Sequence, residues 1–215
     1  MAQLDRLADV PSPIDFRNPA EAEQWAATAM AKRPWRENFF QAFTAELERP
    51  CSSGGAVLEL GSGPGFLARR ILDSLPHVDY TALDFSPAMH ALATQRLGPL
   101  ARRVRFVESD FTKPDWHAGL SKYHAVVTLQ AVHELRHKRH AVSFYKAVGS
   151  LLLPGGVFLV CDHVCGAPGL TNASLYMSLD EHRQALHDGG FAFVDEVRRE
   201  GSLVLYRAQP DDGAS

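Results

Sequence analysis

This 215-residue chain is poor in three things. Cysteine occurs three times, at Cys51, Cys161 and Cys165, an odd number too small for a disulfide framework and suited to a reducing, cytoplasmic setting. Long apolar runs are missing: none approaches the about 20 residues that a membrane span needs, so no membrane association is expected. Excess charge of one sign is missing too. Twenty-two Lys+Arg against 25 Asp+Glu leave a formal charge of −3, which argues against a nucleic-acid partner. The opening residues, Met1-Ala2-Gln3-Leu4-Asp5, are acidic and lack an apolar core, so neither a signal nor a transit peptide is expected. There is no self-similar period and no low-complexity tract.

What is present is a globular composition, 46% hydrophobic and 22% charged. The length favours one domain with an accessory segment, and such a chain buries enough surface to fold without a staple. Residues 1–18 carry Pro11, Pro13, Asp15 and Asn18 without a period and read as a loosely held arm. Asn18-Pro19-Ala20-Glu21 opens a helix over 19–32, with a cap, a first-turn proline and an acid at the positive end of the dipole. A second, aromatic helix follows over 34–48. Cys51-Ser52-Ser53-Gly54-Gly55 then marks a boundary, giving a helical cap over 1–50 and a main domain over 51–215. Strands at 56–60, 80–84, 104–108, 125–129 and 157–161 alternate with helices at 66–75, 86–97 and 138–152. This alternation predicts a mainly parallel sheet covered on both faces. Ser178-Leu179-Asp180-Glu181 has capping-box spacing and opens a helix that stops at Gly189-Gly190. Strands at 191–197 and 203–206 have no helix between them and must pair antiparallel.

In an open parallel sheet, ligands bind beyond the carboxyl ends of the strands. The first such end reads Glu59-Leu60-Gly61-Ser62-Gly63-Pro64-Gly65. Three glycines let the backbone turn sharply and let a ligand approach closely, although a tight strand-to-helix connection alone would also use them. The third glycine comes one residue too early for a dinucleotide fingerprint, and Phe66-Leu67 stands where a P-loop needs Lys-Ser or Lys-Thr. Glu59 beside the loop favours a cationic ammonium over a polyphosphate. Asp84 ends the second strand, where a carboxylate accepts from both hydroxyls of a ribose. Asp110 follows the third, in reach of an exocyclic adenine amine, and Phe85 and Phe111 are candidates to pack on the base.

At this point the chain resembles the class I S-adenosylmethionine-dependent methyltransferases. The resemblance rests on Val57–Gly65, Leu83-Asp84-Phe85-Ser86-Pro87-Ala88-Met89, Glu108-Ser109-Asp110-Phe111, Leu151-Leu152-Leu153-Pro154-Gly155-Gly156 and Gly189-Gly190-Phe191, and covers residues 54–208. It implies an α/β Rossmann-like fold with seven strands in the order 3-2-1-4-5-7-6, strand seven antiparallel. It further implies S-adenosylmethionine as cofactor, with Glu59 and the loop Gly61, Ser62, Gly63 and Gly65 around the methionine part. Asp84 would hold the ribose, and Asp110 with Phe111 the adenine, Phe85 being a further candidate for packing on the base. Gln130, after strand four, would face the reactive methyl.

The same segment continues as His133-Glu134-Leu135-Arg136-His137, which matches the zincin pattern of two ligands four apart on a helix. It follows directly on the apolar strand 126–129, without the long amphipathic helix a zinc site needs and with no clear third ligand beyond the open candidates Glu181 and Asp162, so no metal is expected. Under the family resemblance it lines the acceptor pocket, and His133 becomes a candidate general base. Asp162 and His163, just past strand five, Tyr176 in the polar stretch 166–177, and Trp35 on the aromatic cap are the other candidate substrate contacts. Segments that family members acting on exocyclic amines, cytosine C5, protein arginine or catechols carry are missing. A small organic acceptor, on a monomer or homodimer, is therefore the expectation. Rival readings are a cofactor-binding subunit without turnover and a zinc-dependent hydrolase.

Overall fold

The computed structural model describes residues 8–211; the N-terminal pentapeptide considered above lies outside them. Among the described residues six α-helices and seven strands follow one another as α1 (Pro19–Lys32), α2 (Arg36–Glu48), β1 (Gly55–Leu60), α3 (Phe66–Ser74), β2 (Val78–Asp84), α4 (Pro87–Leu97), β3 (Val104–Glu108), β4 (Tyr123–Leu129), α5 (Ala141–Ser150), β5 (Leu152–His163), α6 (Leu179–Asp188), β6 (Phe191–Glu200) and β7 (Leu203–Pro210). The strands form one sheet in the order β3-β2-β1-β4-β5-β7-β6. The pairs among β1 to β5 are parallel, whereas β7 runs antiparallel to both β5 and β6. This is the order that the resemblance implied.

Local chemistry sets the helix starts. The Asn18 side chain accepts from Ala20 N–H with Pro19 in the first turn, and Ser86 accepts from Met89 N–H ahead of Pro87. Ser178 and Glu181 form the reciprocal capping box. The strand order reverses between β1 and β4, so the carboxyl ends of these two strands diverge and open a crevice.

Each face of the sheet carries a core. Phe144, Tyr145, Phe158 and Phe191 centre one; Phe39, Phe43, Leu47, Leu67 and Ile71 belong to the other. The side chains of α2 are thus built into the main core, each contributing about 1.5–3 kcal/mol. No helix among the described residues is long and apolar enough to cross a membrane.

Three expectations need correction. The α-helix before β5 begins at Ala141, because residues 138–140 form a separate 3-10 turn capped by His137 Nδ1. Strand β5 begins at Leu152 and absorbs Pro154-Gly155-Gly156 through an irregularity opposite Tyr123 and Ala125. The arm is held rather than loose from Asp9 onward. Val10 N–H donates to Arg136 O at 2.8 Å, Arg136 Nε and Nη2 donate to Val10 O and Pro11 O at 2.7 Å, and Ser86 Oγ donates to Phe16 O. Asp9 in turn pairs with Arg139 at 2.7 Å and His140 at 2.9 Å.

Candidate active site

The crevice beyond β1 and β4 is a cleft lined from both strand ends and from the N-terminal helices. Its floor is the loop after β1, whose glycines are required individually. Gly61 has φ +67°, and a Cβ there would stand 2.4 Å from Ala131 Cβ. Gly63, at φ +51°, has nothing within 4 Å of such a Cβ and leaves open space beside the loop. Between them Ser62 is buried, and its Oγ has no hydrogen-bond partner. A buried hydroxyl without a partner beside exposed backbone is a feature that a bound polar ligand completes.

Two carboxylates face this floor. Glu59 is 2% exposed and accepts from Tyr80 OH at 2.8 Å. Burial lifts its pKa to about 8, the Tyr80 hydrogen bond pulling down and the Asp84 charge pushing up. Asp84 accepts from Gly63 N–H at 2.8 Å and Ser86 N–H at 2.9 Å, so it clamps the glycine loop to the end of β2. Burial raises it to about 6, against the pull of those N–H groups and of Arg17.

The wall opposite is the segment after β4. It is bracketed by two non-glycine residues with positive φ, Gln130 at +55° and Arg136 at +65°. Such residues are uncommon and store local strain, here at the two ends of the turn Val132–Leu135 that presents His133. His133 Nδ1–H donates to Asp162 Oδ1 at 2.7 Å, and its main-chain N–H to Oδ2 at 2.9 Å. Asp162 also accepts from His163 N–H at 2.6 Å. Burial alone would push the His133 pKa down, but the Asp162 charge and hydrogen bond, helped by Glu134, outweigh it and hold it above the ordinary value. Burial likewise opposes ionisation of Asp162, yet the same pairing holds it far below the carboxylate range. With Nδ1 committed to Asp162, Nε2 is the nitrogen left to take a proton; it lies 3.5 Å from Glu134 Oε1.

Gln130 extends the wall: its Oε1 accepts from Arg36 Nε, so its Nε2–H points at His163 Nε2, 2.9 Å away. His163 then donates from Nδ1 to Ser202 Oγ at 3.0 Å. Burial pushes His163 down to about 3, so it is neutral and fixed as a relay.

The cleft therefore brings together Glu59, Gly61, Ser62, Gly63, Asp84, Phe85, Phe111, Gln130, His133 and His163 from the sequence-predicted set. Others lie elsewhere. Gly65 caps α3 at φ +76°. Asp110 lines a neighbouring cleft beyond Phe16, where Arg17 stands 3.7 Å from it and 4.3 Å above the Phe85 ring. Asp162 is buried behind His133 and reaches the site only through it. Tyr176 packs against the His133 and His163 rings, at 5.8 and 5.9 Å between centroids.

Trp35 is a correction: its ring packs against Gly201 at the β6–β7 turn, and so it does not line the cleft. Trp25, Arg33, Arg36 and Phe40 line it instead. Sequence reasoning missed Arg36, although it stands on the same stripe as Phe40, Phe43 and Leu47, a charge on an apolar face.

The His-Glu-x-x-His pattern is also resolved. His133 and His137 share no helix, since Arg136 breaks the turn, and His137 Nδ1 accepts from Arg139 N–H. A different trio, His133, Asp162 and His163, has donor atoms within 4.8 Å of one another. His133 Nδ1, both Asp162 oxygens and both ring nitrogens of His163 already serve the hydrogen bonds described above.

Comparison with known proteins agrees with this geometry. A methyltransferase-domain family matches residues 58–158. Malonyl-[acyl-carrier protein] O-methyltransferase of a Paenibacillus species is 32% identical over 153 residues, which are 64% of this chain and 55% of that protein. The chain thus spans little more than half the length of that curated relative. An O-methyltransferase family protein from Burkholderia thailandensis superposes with a TM-score of 0.73 at 20% identity, over 93% of this chain and 62% of the other. The DhpI-SAH complex superposes at 0.65 with 26% identity, over 89% and 92% of the two chains. Residues 58–158 are thus similar to a methyltransferase domain, and the fold is that of the class I S-adenosylmethionine-dependent methyltransferases. Its residues fit that cofactor: the acids Glu59 and Asp84 flank an open glycine loop with an unpartnered hydroxyl.

Proposed function

We propose that the protein transfers a methyl group to a hydroxyl of a small organic acceptor, with His133 as general base and Asp162 as the residue that orients it and raises its basicity. The observation that carries this reading is the His133–Asp162 pair, joined at 2.7 Å, on the wall of the glycine-loop cleft. S-adenosylmethionine supplies, when bound, an electrophilic sulfonium methyl. Glu59 receives the ammonium of its amino-acid part, Asp84 the ribose, and Ser62 Oγ the polar backbone of the ligand. His133 Nε2 takes the acceptor proton, and the Asp162 carboxylate stabilises the imidazolium that forms. Trp25, Phe40, Phe66 and Leu129 exclude water from the reacting pair. The O-methyltransferase name of one relative supports an oxygen acceptor.

Release of S-adenosylhomocysteine during turnover tests the reading, and a cofactor-binding subunit without turnover would release none. Calorimetry on Asp84→Ala tests the ribose contact: S-adenosylmethionine should bind more weakly by about 1.5–3 kcal/mol. Binding equal to that of the wild type would count against the whole assignment.

A further inference from the structure

Arg36 poses a problem that the proposed chemistry leaves unsolved. It is 3% exposed, at the start of α2, and lines the cleft. Its Nε is spent on Gln130, while its Nη1 is buried and has no partner. Its guanidinium lies 5.5 Å from the Trp25 ring centroid, and the charge nearest in kind is Arg33, which also lines the cleft. Neither arginine forms an ion pair among the described residues. A buried cation without a counter-charge, beside a second cation, is costly unless a ligand brings the anion. The planar fork of arginine suits a carboxylate or a similar oxyanion, which two N–H groups can hold at once.

We propose that Arg36, assisted by Arg33, seats a carboxylate-class anion of a ligand bound in the cleft. This rests on the transferase reading, which supplies two sources for such a group: the α-carboxylate of the cofactor and an acidic group on the acceptor. In either case the anion sits on the Gln130 side of the cleft and completes the row Arg36–Gln130–His163. The site then discriminates against ligands that lack the acid.

The test compares wild type, Arg36→Met and Arg36→Lys in calorimetry with S-adenosylhomocysteine and with its decarboxylated counterpart, S-adenosyl-3-thiopropylamine. If the cofactor is the source, Arg36→Met loses about 10- to 100-fold in affinity for S-adenosylhomocysteine and little for the amine. If the acceptor is the source, both nucleosides bind as before. The protein saturated with S-adenosylhomocysteine then binds 4-hydroxybenzoate better than its methyl ester, and Arg36→Met abolishes that preference. Arg36→Lys retains the charge without the fork and should show an intermediate loss; it stands in if the methionine variant fails to fold. Equal weakening of both nucleosides, or no acid preference with either probe pair, would overturn the proposal and leave Arg36 as a positioner of Gln130. A wild-type protein that binds no S-adenosylhomocysteine would instead sink the transferase reading itself.

Discussion

Replacing Asp162 by asparagine removes one charge from a network without spare acceptors. Oδ1 accepts from His133 Nδ1–H at 2.7 Å and His163 N–H at 2.6 Å, and Oδ2 from His133 N–H at 2.9 Å. An amide offers one oxygen and one NH₂, so in either orientation a donor meets a donor. With the NH₂ in place of Oδ1, the imidazole must move its proton to Nε2, the nitrogen that has to be basic. With the NH₂ in place of Oδ2, the main-chain N–H of His133 loses its acceptor and the turn that presents the ring loosens. Either outcome forfeits at least one charge-assisted hydrogen bond, about 1.5–3 kcal/mol. The sign of the pH effect follows from the balance at His133, where burial pushes the pKa down and the Asp162 charge lifts it above 6.5. Without the carboxylate the downward push prevails, so the acid limb of kcat should move to lower pH. The plateau should fall by about 10²–10⁴-fold, the usual worth of a positioned base. S-adenosylhomocysteine release with a hydroxyl acceptor, followed from about pH 5 to 9, reads both effects. Calorimetry at one pH should show cofactor affinity within about twofold of wild type, since Asp162 does not line the cleft. An acid limb that stays in place, with kcat within about threefold of wild type, would refute the dyad.

The Glu59 carboxyl, lifted by burial to about 8, holds its proton at neutrality in the ligand-free protein. A bound ammonium favours the ionised form, so affinity for S-adenosylhomocysteine should climb as pH rises toward about 8, with a proton released on binding; calorimetry in two buffers of different ionisation enthalpy reads that proton, and Glu59→Gln should abolish it. The raised pKa also means that the ligand-free protein loses Glu59's contribution to stability as pH rises through that range, so its melting temperature should fall there and the variant's should not. Gly61→Ala forces a Cβ to 2.4 Å from Ala131 at φ +67° and should cost about 1–3 kcal/mol in thermal unfolding, whereas Gly63→Ala meets no neighbour within 4 Å and should weaken ligand binding more than folding. Prolonged dialysis against a chelator should leave turnover within about twofold, because His133 Nδ1, both Asp162 oxygens and both His163 ring nitrogens are already hydrogen-bonded and leave only His133 Nε2; activity that vanishes and returns with added zinc would overturn that.

The elements that sequence reasoning placed well are those with local causes. Asn18-Pro19, Ser86-Pro87 and Ser178 with Glu181 determine where α1, α4 and α6 begin through contacts within a few residues, and the glycine loop announces itself because three positive φ angles need glycine. Trp35 and Arg36 were harder, since both sit at the junction of α1 and α2, where side-chain direction is set by distant contacts and not by local period. Trp35 is fixed by Gly201, far along the chain, and nothing near it in sequence reveals that contact. The role of Asp162 was hidden likewise: its partner His133 is 29 residues away and meets it only because β4 and β5 are neighbours.

Arg36, Asp162 and Gln130 share a physical trait, and it locates the site. Arg36 puts a charge on an apolar helical stripe; Asp162 puts one at the end of a strand whose preceding residues, Val157 to Cys161, are all buried and apolar; Gln130 adopts a backbone conformation that glycine would hold at less cost. Each breaks a rule that the rest of its element obeys, and each is a choice that folding alone would not favour. The three are nevertheless contiguous in space: Arg36 donates to Gln130, Gln130 to His163, and Asp162 carries His133 beside it. Independent packing accidents would scatter over the molecule, whereas these converge on the wall that faces Glu59 and Asp84 across the cleft. The local cost of three exceptions is thus concentrated where a ligand can offset it, which is the arrangement expected of a binding wall and not of a core.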